Sequence, residues 1–192
     1  MKLTDLVNDV LSAPQWTLFL DRDGVINERI VGGYVLHYDE LKILPFVKEA
    51  LHLLKGKFYK IVVVSNQQSV GKGLCQYDEV VQIHNQLNKE LQKENIAVDH
   101  FFFCPHKAED GCECRKPKTG MAFEAQKMFP EIDFKHSIMV GDMITDIQFG
   151  HSLGMTTIYV GEKEVLNRDQ IVELADFSFE NLYEFAQLFK SK

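Results

Sequence analysis

Residues 16–24 read Trp16-Thr17-Leu18-Phe19-Leu20-Asp21-Arg22-Asp23-Gly24. An uninterrupted apolar and β-branched run enters a charged turn. Such a run, bounded by turn chemistry, is the pattern of a strand buried on both faces, as in a parallel sheet. Four more segments read as strands: 61–64, rich in β-branched residues, then 99–103, 137–140 and 156–160. Helical patterns fall between and around them at 46–55, 77–94, 119–129 and 144–153, with a final pair expected at 167–174 and 180–190. Leu3, Leu6, Val7, Val10 and Leu11 repeat at helical spacing and predict an amphipathic helix at the start of the chain. Alternating strands and helices predict an α/β fold, a three-layer Rossmann-like parallel sheet covered on both faces. Ligands bind such sheets beyond the carboxyl ends of the strands, so the residues at those ends decide the function.

Three of the ends are polar: Asp21-Arg22-Asp23-Gly24, Ser65-Asn66-Gln67 and Gly141-Asp142. Side chains two apart on an extended chain share a side, so Asp21 and Asp23 are expected to converge. Two unpaired carboxylates repel, and a divalent cation relieves the conflict; hard oxygen ligands suit magnesium. Asp142, at another strand end, is the third carboxylate expected there. Taken alone, Asp-x-Asp-Gly is as readily a capped turn, and Ser-Asn an ordinary strand exit. Ser65, Asn66 and nearby backbone N–H groups suit phosphate oxygens. Arg115 and Lys116, a solvated basic pair in most contexts, here carry charges that can neutralise phosphate.

The fourth strand end opens Cys104-Pro-His106 and then Cys112-Glu-Cys114. Three thiolates and one imidazole form a closed tetrahedral zinc set, which is structural because no position remains for water. The alternative is a loop of free thiols. Cys75 lies outside the group as a spare thiol.

The composition is that of a globular chain, with 192 residues, 45% hydrophobic and 26% charged. The net charge of -7 disfavours non-specific nucleic-acid binding. No apolar run has the length that spans a bilayer, and acidic residues interrupt the first apolar segment, so neither a membrane partner nor a secretory signal is expected. The expectation is a cytoplasmic monomer of one domain, residues 1–192, with a flap over 24–41 and a zinc loop over 104–117.

Together these motifs resemble the haloacid dehalogenase superfamily of phosphotransferases. Asp21-x-Asp23, Ser65, Lys116 and Gly141-Asp142-x-x-x-Asp146 stand in its order. The segment Cys-x-His…Cys-x-Cys-Arg-Lys-Pro is similar to the branch holding heptose bisphosphate 7-phosphatases and histidinol-phosphate phosphatases, which lack a large cap domain. Asp-Arg-Asp-Gly-Val-Ile-Asn27 and Gly33-Tyr34-Val35 favour the heptose side, whereas five residues between His106 and Cys112 resemble the histidinol side. The resemblance implies a Mg2+-dependent, Zn2+-stabilised phosphatase working through an aspartyl-phosphate on Asp21. Its expected substrate is a small phosphorylated molecule, a sugar bisphosphate that feeds lipopolysaccharide core or another heptose-containing glycan. By the same resemblance Asp23 is the acid and base, Ser65 and Lys116 bind the transferring phosphate, and Asn27, Asn66 and Arg115 contact substrate. Magnesium is held by Asp21, Asp142 and the backbone carbonyl of Asp23, with Asp146 in support.

Overall fold

The computed structural model describes residues 2–13, 15–96, 98–161, 171 and 173–190. Six parallel strands form one sheet: β1 (Thr17–Leu20), β2 (Lys60–Asn66), β3 (His100–Cys104), β4 (Ser137–Gly141), β5 (Thr156–Val160) and β6 (Phe177–Phe179), in the spatial order β3-β2-β1-β4-β5-β6. The described helices are α1 (Leu3–Ser12), α2 (Val47–Leu54), α3 (Tyr77–Gln92), α4 (Gly120–Met128), α5 (Ile144–Leu153) and α6 (Leu182–Ala186).

The period-two alternation of a strand divides the core. Leu18, Leu20, Ile61, Val63, Ile138 and Val140 face one side and pack with α1, α2, α3 and α6. Phe19, Val62, Val64 and Met139 face the other and meet α4 and α5 through Met121, Ala125 and Phe149. This is the three-layer arrangement expected from the sequence. The helix at the start of the chain buries Leu6 and Val10 against the first of these cores. No helix among the described residues is long and apolar enough to cross a membrane.

Two elements differ from the sequence reading. β6 was not expected, since Phe-Ser-Phe is too short a run to stand out; it is held by parallel pairing to β5. The helix expected over 180–190 is instead α6 followed by a 3-10 turn at Gln187–Phe189. The helix expected over 167–174 lies largely outside the described residues.

The sheet order places β1 between β2 and β4. The chain winds outward from β1 to β3, then returns to the opposite side of β1 with β4. This reversal opens a crevice at the carboxyl ends of β1 and β4. Register aligns the exits, with Leu20 beside both Val63 and Val140. Asp21, Ser65 and Asp142 therefore rise from one rim. Pairing of Asn66 with Cys104 brings the cysteine loop to the same rim. Between Asp21 and β2 the chain holds the 24–41 segment and α2. That segment is pinned at its base by buried Val25, Ile26 and Val35, while Val31 is 94% exposed.

Phe149 of α5 is fully buried beneath this rim. Phe149→Ala is expected to lower unfolding free energy by about 3–5 kcal/mol, read from the denaturant midpoint at unchanged slope.

Candidate active site

The rim encloses a cavity of about 910 Å³ lined by Asp21, Asp23, Arg29, Ser65, Arg115 and Lys116, among others. Asp21, Asp23 and Asp146 line it, and Asp142 adjoins Asp21, paired with Arg29. Two glycines admit them: a methyl group on Gly24 would overlap the Asp142 carboxylate, and one on Gly141 would overlap that of Asp146. Gly24 also has a φ of 93°, which L side chains rarely adopt. The glycines of Asp-x-Asp-Gly and Gly-Asp are thus set by close approach as much as by turn geometry.

Lys116 is 3% exposed. Its Nζ lies 2.9 Å from Asp21 Oδ1 and 2.7 Å from Asp146 Oδ1, and donates to the Val64 carbonyl at 2.7 Å. Burial works against the charge on Lys116, but Asp146 and Asp21 overcome it and raise its pKa. Asp146 is locked in turn, its Oδ2 accepting from the Met143 N–H at 3.0 Å at the start of α5.

Asp21 is pushed up to about 6, chiefly by burial, with Lys116 pulling it down and Asp146 and Asp23 pushing it up. Asp142 is pushed up to about 7 by burial and by Asp21, against the pull of Arg29. Asp23 differs. Burial raises it, yet Arg22 grips both of its oxygens at 2.9 Å, and the Asn27 and Gln67 amides donate to it at 2.9 and 2.8 Å. The net effect holds Asp23 below the usual carboxylate range. Arg22 is itself fully buried and donates from Nη1 to His84 Nε2 at 3.0 Å. A guanidinium only donates, so that nitrogen of His84 accepts. Burial and Arg22 hold His84 well below its usual pKa, hence neutral.

The Asp21 and Asp23 side chains line the same cavity, with different partners. Carboxylate oxygens of Asp21, Asp142 and Asp146 lie within 4.8 Å of one another, while the Asp23 carboxylate turns to Arg22, Asn27 and Gln67. The Asp23 backbone carbonyl remains on the side of Asp142, where Arg29 Nη2 reaches it at 2.8 Å. Asp21, Asp142 and that carbonyl are hard oxygen donors, and burial, with mutual repulsion of the two carboxylates, raises their proton affinity. Such a set fits a divalent cation of magnesium's type.

The expectation for Asn27 is corrected: it is fully buried and positions Asp23 instead of meeting substrate. Both polar ends of the Asn66 amide face the Lys116 main chain, accepting from its N–H at 3.0 Å and donating to its carbonyl at 3.2 Å, so this side chain fixes the loop that carries Lys116. Gln67 bridges Asp23 and Ser65 Oγ, at 2.8 and 2.7 Å. The sequence reading gave no role to Gln67, Arg22 or Arg29. The only signal available was polar character at a strand end or in the 24–41 segment.

Cys104, His106, Cys112 and Cys114 form a second group within 4.8 Å. Cys114 Sγ lies 3.0 Å from Cys104 Sγ and 3.2 Å from His106 Nδ1. No disulfide joins these cysteines. Burial and the neighbouring thiols push Cys114 up strongly, and burial raises Cys104 too. The four donors can hold one soft tetrahedral metal. Arg115, next in the loop, donates from Nη1 to the His106 carbonyl at 3.3 Å. Cys75 stands apart, buried with its thiol on Ser69 Oγ.

Known proteins resemble this chain over most of its length. The polynucleotide kinase 3 phosphatase family model matches residues 20–179. A protein of Mycobacterium bovis called D-glycero-alpha-D-manno-heptose-1,7-bisphosphate 7-phosphatase is 37% identical over 172 residues, covering 90% of each chain. One of Haemophilus influenzae called the corresponding beta-heptose phosphatase is 32% identical, covering 90% of this chain and 96% of its own. The crystal structure of a D,D-heptose 1.7-bisphosphate phosphatase from B. bronchiseptica complexed with magnesium and phosphate superposes with a TM-score of 0.79 at 28% identity. It covers 90% of this chain and 97% of the other.

The raised carboxylates generate a pH prediction. A group whose folded pKa exceeds its free value contributes stability at low pH that is lost as pH rises through the folded value. For Asp21 and Asp142 that loss runs upward from the ordinary 3.8 and is complete by about 6 and about 7. A divalent cation replaces the missing positive charge only where these groups are ionised. Added Mg2+ is therefore expected to raise the melting temperature more near pH 8 than near pH 5. Thermal unfolding of metal-stripped protein with and without MgCl2 at both pH values measures the difference.

Proposed function

The chain belongs to the polynucleotide kinase 3 phosphatase family of haloacid dehalogenase phosphatases, and we propose that within it this protein removes the 7-phosphate of D-glycero-D-manno-heptose 1,7-bisphosphate. It does so as a Mg2+-dependent, zinc-stabilised cytoplasmic monomer that feeds heptose-containing glycans such as lipopolysaccharide core. The observation that carries the phosphatase reading is the contact of buried Lys116 with Asp21 at 2.9 Å on the floor of a polar cavity. The substrate is supported by relatives that share at least 32% identity over 90% of the chain and carry that activity in their names. The family model's own name speaks of polynucleotides. A net charge of -7 works against that substrate class.

Asp21 attacks phosphorus in line; the P–O bond to the sugar breaks and an aspartyl-phosphate forms. Asp23 gives its proton to the departing sugar oxygen, then takes a proton from the water that attacks the aspartyl-phosphate and restores Asp21. In the free enzyme Arg22, Asn27 and Gln67 hold Asp23 ionised, which suits the second step. A phosphate dianion arriving beside it raises its proton affinity for the first. Lys116 and Ser65 hold the equatorial oxygens, and Asp146 and Asn66 keep Lys116 in place. Arg115, on the cavity wall, receives the distal phosphate. Asp21, Asp142 and the Asp23 carbonyl would hold Mg2+, which when bound offsets repulsion between the nucleophile and phosphate. Zn2+ at Cys104, His106, Cys112 and Cys114 would order the loop that presents Arg115 and Lys116.

Asp21→Asn is expected to abolish turnover while circular dichroism and melting stay native. Lys116→Met is expected to cost on the order of 100- to 1000-fold in kcat. Phosphate release is to be compared for both anomers of the heptose bisphosphate, histidinol phosphate and a 3′-phosphorylated oligonucleotide. Preference for either of the last two would overturn the substrate assignment.

The zinc role yields a separate expectation. Cys112→Ser should raise hydrogen exchange across 104–117 while leaving β1 and β4 protected. Equal loop protection with and without zinc would count against a structural metal.

A further inference from the structure

Arg29 stands where the 24–41 segment leaves its buried base. Its guanidinium meets three groups at once. Nε donates to Asp142 Oδ2 at 3.0 Å and Nη2 to Asp142 Oδ1. The same Nη2 donates to the Asp23 carbonyl at 2.8 Å and lies 3.8 Å from Asp21 Oδ2. These are the oxygens of the proposed magnesium site, so the inference rests on that reading. Lys116 serves the other oxygen of Asp21 and does not reach this side.

One position cannot serve both cations, because the N–H bonds of the guanidinium are aimed at the donor oxygens that an ion needs. Nor is the side chain locked in. It is 38% exposed, and its neighbours Ile30 and Val31 are 39% and 94% exposed. Arg29 can leave without disturbing the core, and its main chain stays tied down by Glu28, whose N–H donates to the Lys42 carbonyl at 2.8 Å.

We infer that Arg29 is a tethered stand-in for the divalent ion: it neutralises Asp21 and Asp142 while no ion is bound, and it must withdraw before an ion is seated. It is thus a positioning residue of the metal site. It keeps mutually repelling carboxylates gathered, and it sets the metal affinity by competing for their oxygens. A competitor bound to the free state alone weakens apparent affinity by its own occupancy.

The test is calorimetric titration of MgCl2 into metal-stripped wild type, Arg29→Gln, Arg29→Lys and Arg115→Gln. Arg115→Gln removes a charge from the same cavity without freeing the three oxygens. The expected result is magnesium binding about tenfold tighter for Arg29→Gln and intermediate for Arg29→Lys, with less than about a twofold change for Arg115→Gln. Equal affinity in wild type and Arg29→Gln, or equal gains in Arg29→Gln and Arg115→Gln, would overturn the stand-in role and leave the metal reading standing. No magnesium binding by any of the four would overturn both. A second readout needs only wild type to be folded. The arginine Nε–H resonance that tracks the 24–41 segment should move and lose exchange protection when MgCl2 is added. An unchanged resonance at saturating MgCl2 would overturn the inference even if the variants misfold.

Discussion

Four carboxylates and three cations are packed together at one rim of the sheet, and the rest of the site depends on how their charges balance. Asp21, Asp23, Asp142 and Asp146 are largely or wholly withdrawn from water. An uncompensated buried charge is costly, so each must find a partner. The partners are specific. Arg22 takes Asp23, Lys116 lies between Asp21 and Asp146, and Arg29 bridges Asp142, the Asp23 carbonyl and the edge of Asp21. This division separates the two aspartates of the first motif. Asp23, gripped by a guanidinium and two amides, stays ionised; Asp21 and Asp142 are pushed up chiefly by burial. Burial of that pair, with its mutual repulsion, accounts for the Arg29 guanidinium lying against it.

The scaffold makes this crowding possible by removing freedom around it. Parallel pairing of β1 with both β2 and β4 fixes three strand exits at one level. Glycines at 24 and 141 let two carboxylates approach main chain where any other residue would collide. A further ring of contacts then fixes the ionic groups: His84 behind Arg22, Asn66 behind the Lys116 main chain, and Gln67 between Asp23 and Ser65. The cysteine loop acts from outside the ring, since Arg115 and Lys116 follow Cys114 directly.

How much of this was legible depended on whether a residue declares itself by local pattern. The five longer strands were legible because burial on both faces demands continuous apolar runs. Asp21, Lys116, Asp142 and Asp146 were legible as a motif set, and Cys104, His106, Cys112 and Cys114 by spacing. β6 was not, because Phe177 and Phe179 offer too short a signal and the strand exists through its pairing with β5. Asn27 looked like a substrate contact because it sits in a motif; burial, a property of the packed fold, makes it a support for Asp23. Arg29 carried no signal beyond its charge, since an arginine in the 24–41 segment is indistinguishable from a solvated one until its neighbours across 113 residues are known.

The sequence by itself determined the α/β class, the strand exits that bear chemistry and the residue types gathered there, because hydrophobic periodicity and short-range spacing are local properties of the chain. Tertiary structure alone decided which carboxylate meets which cation. Those pairings join residues dozens of positions apart, and which side chain fills a given space at the rim is settled only when strand register, burial and close packing act together.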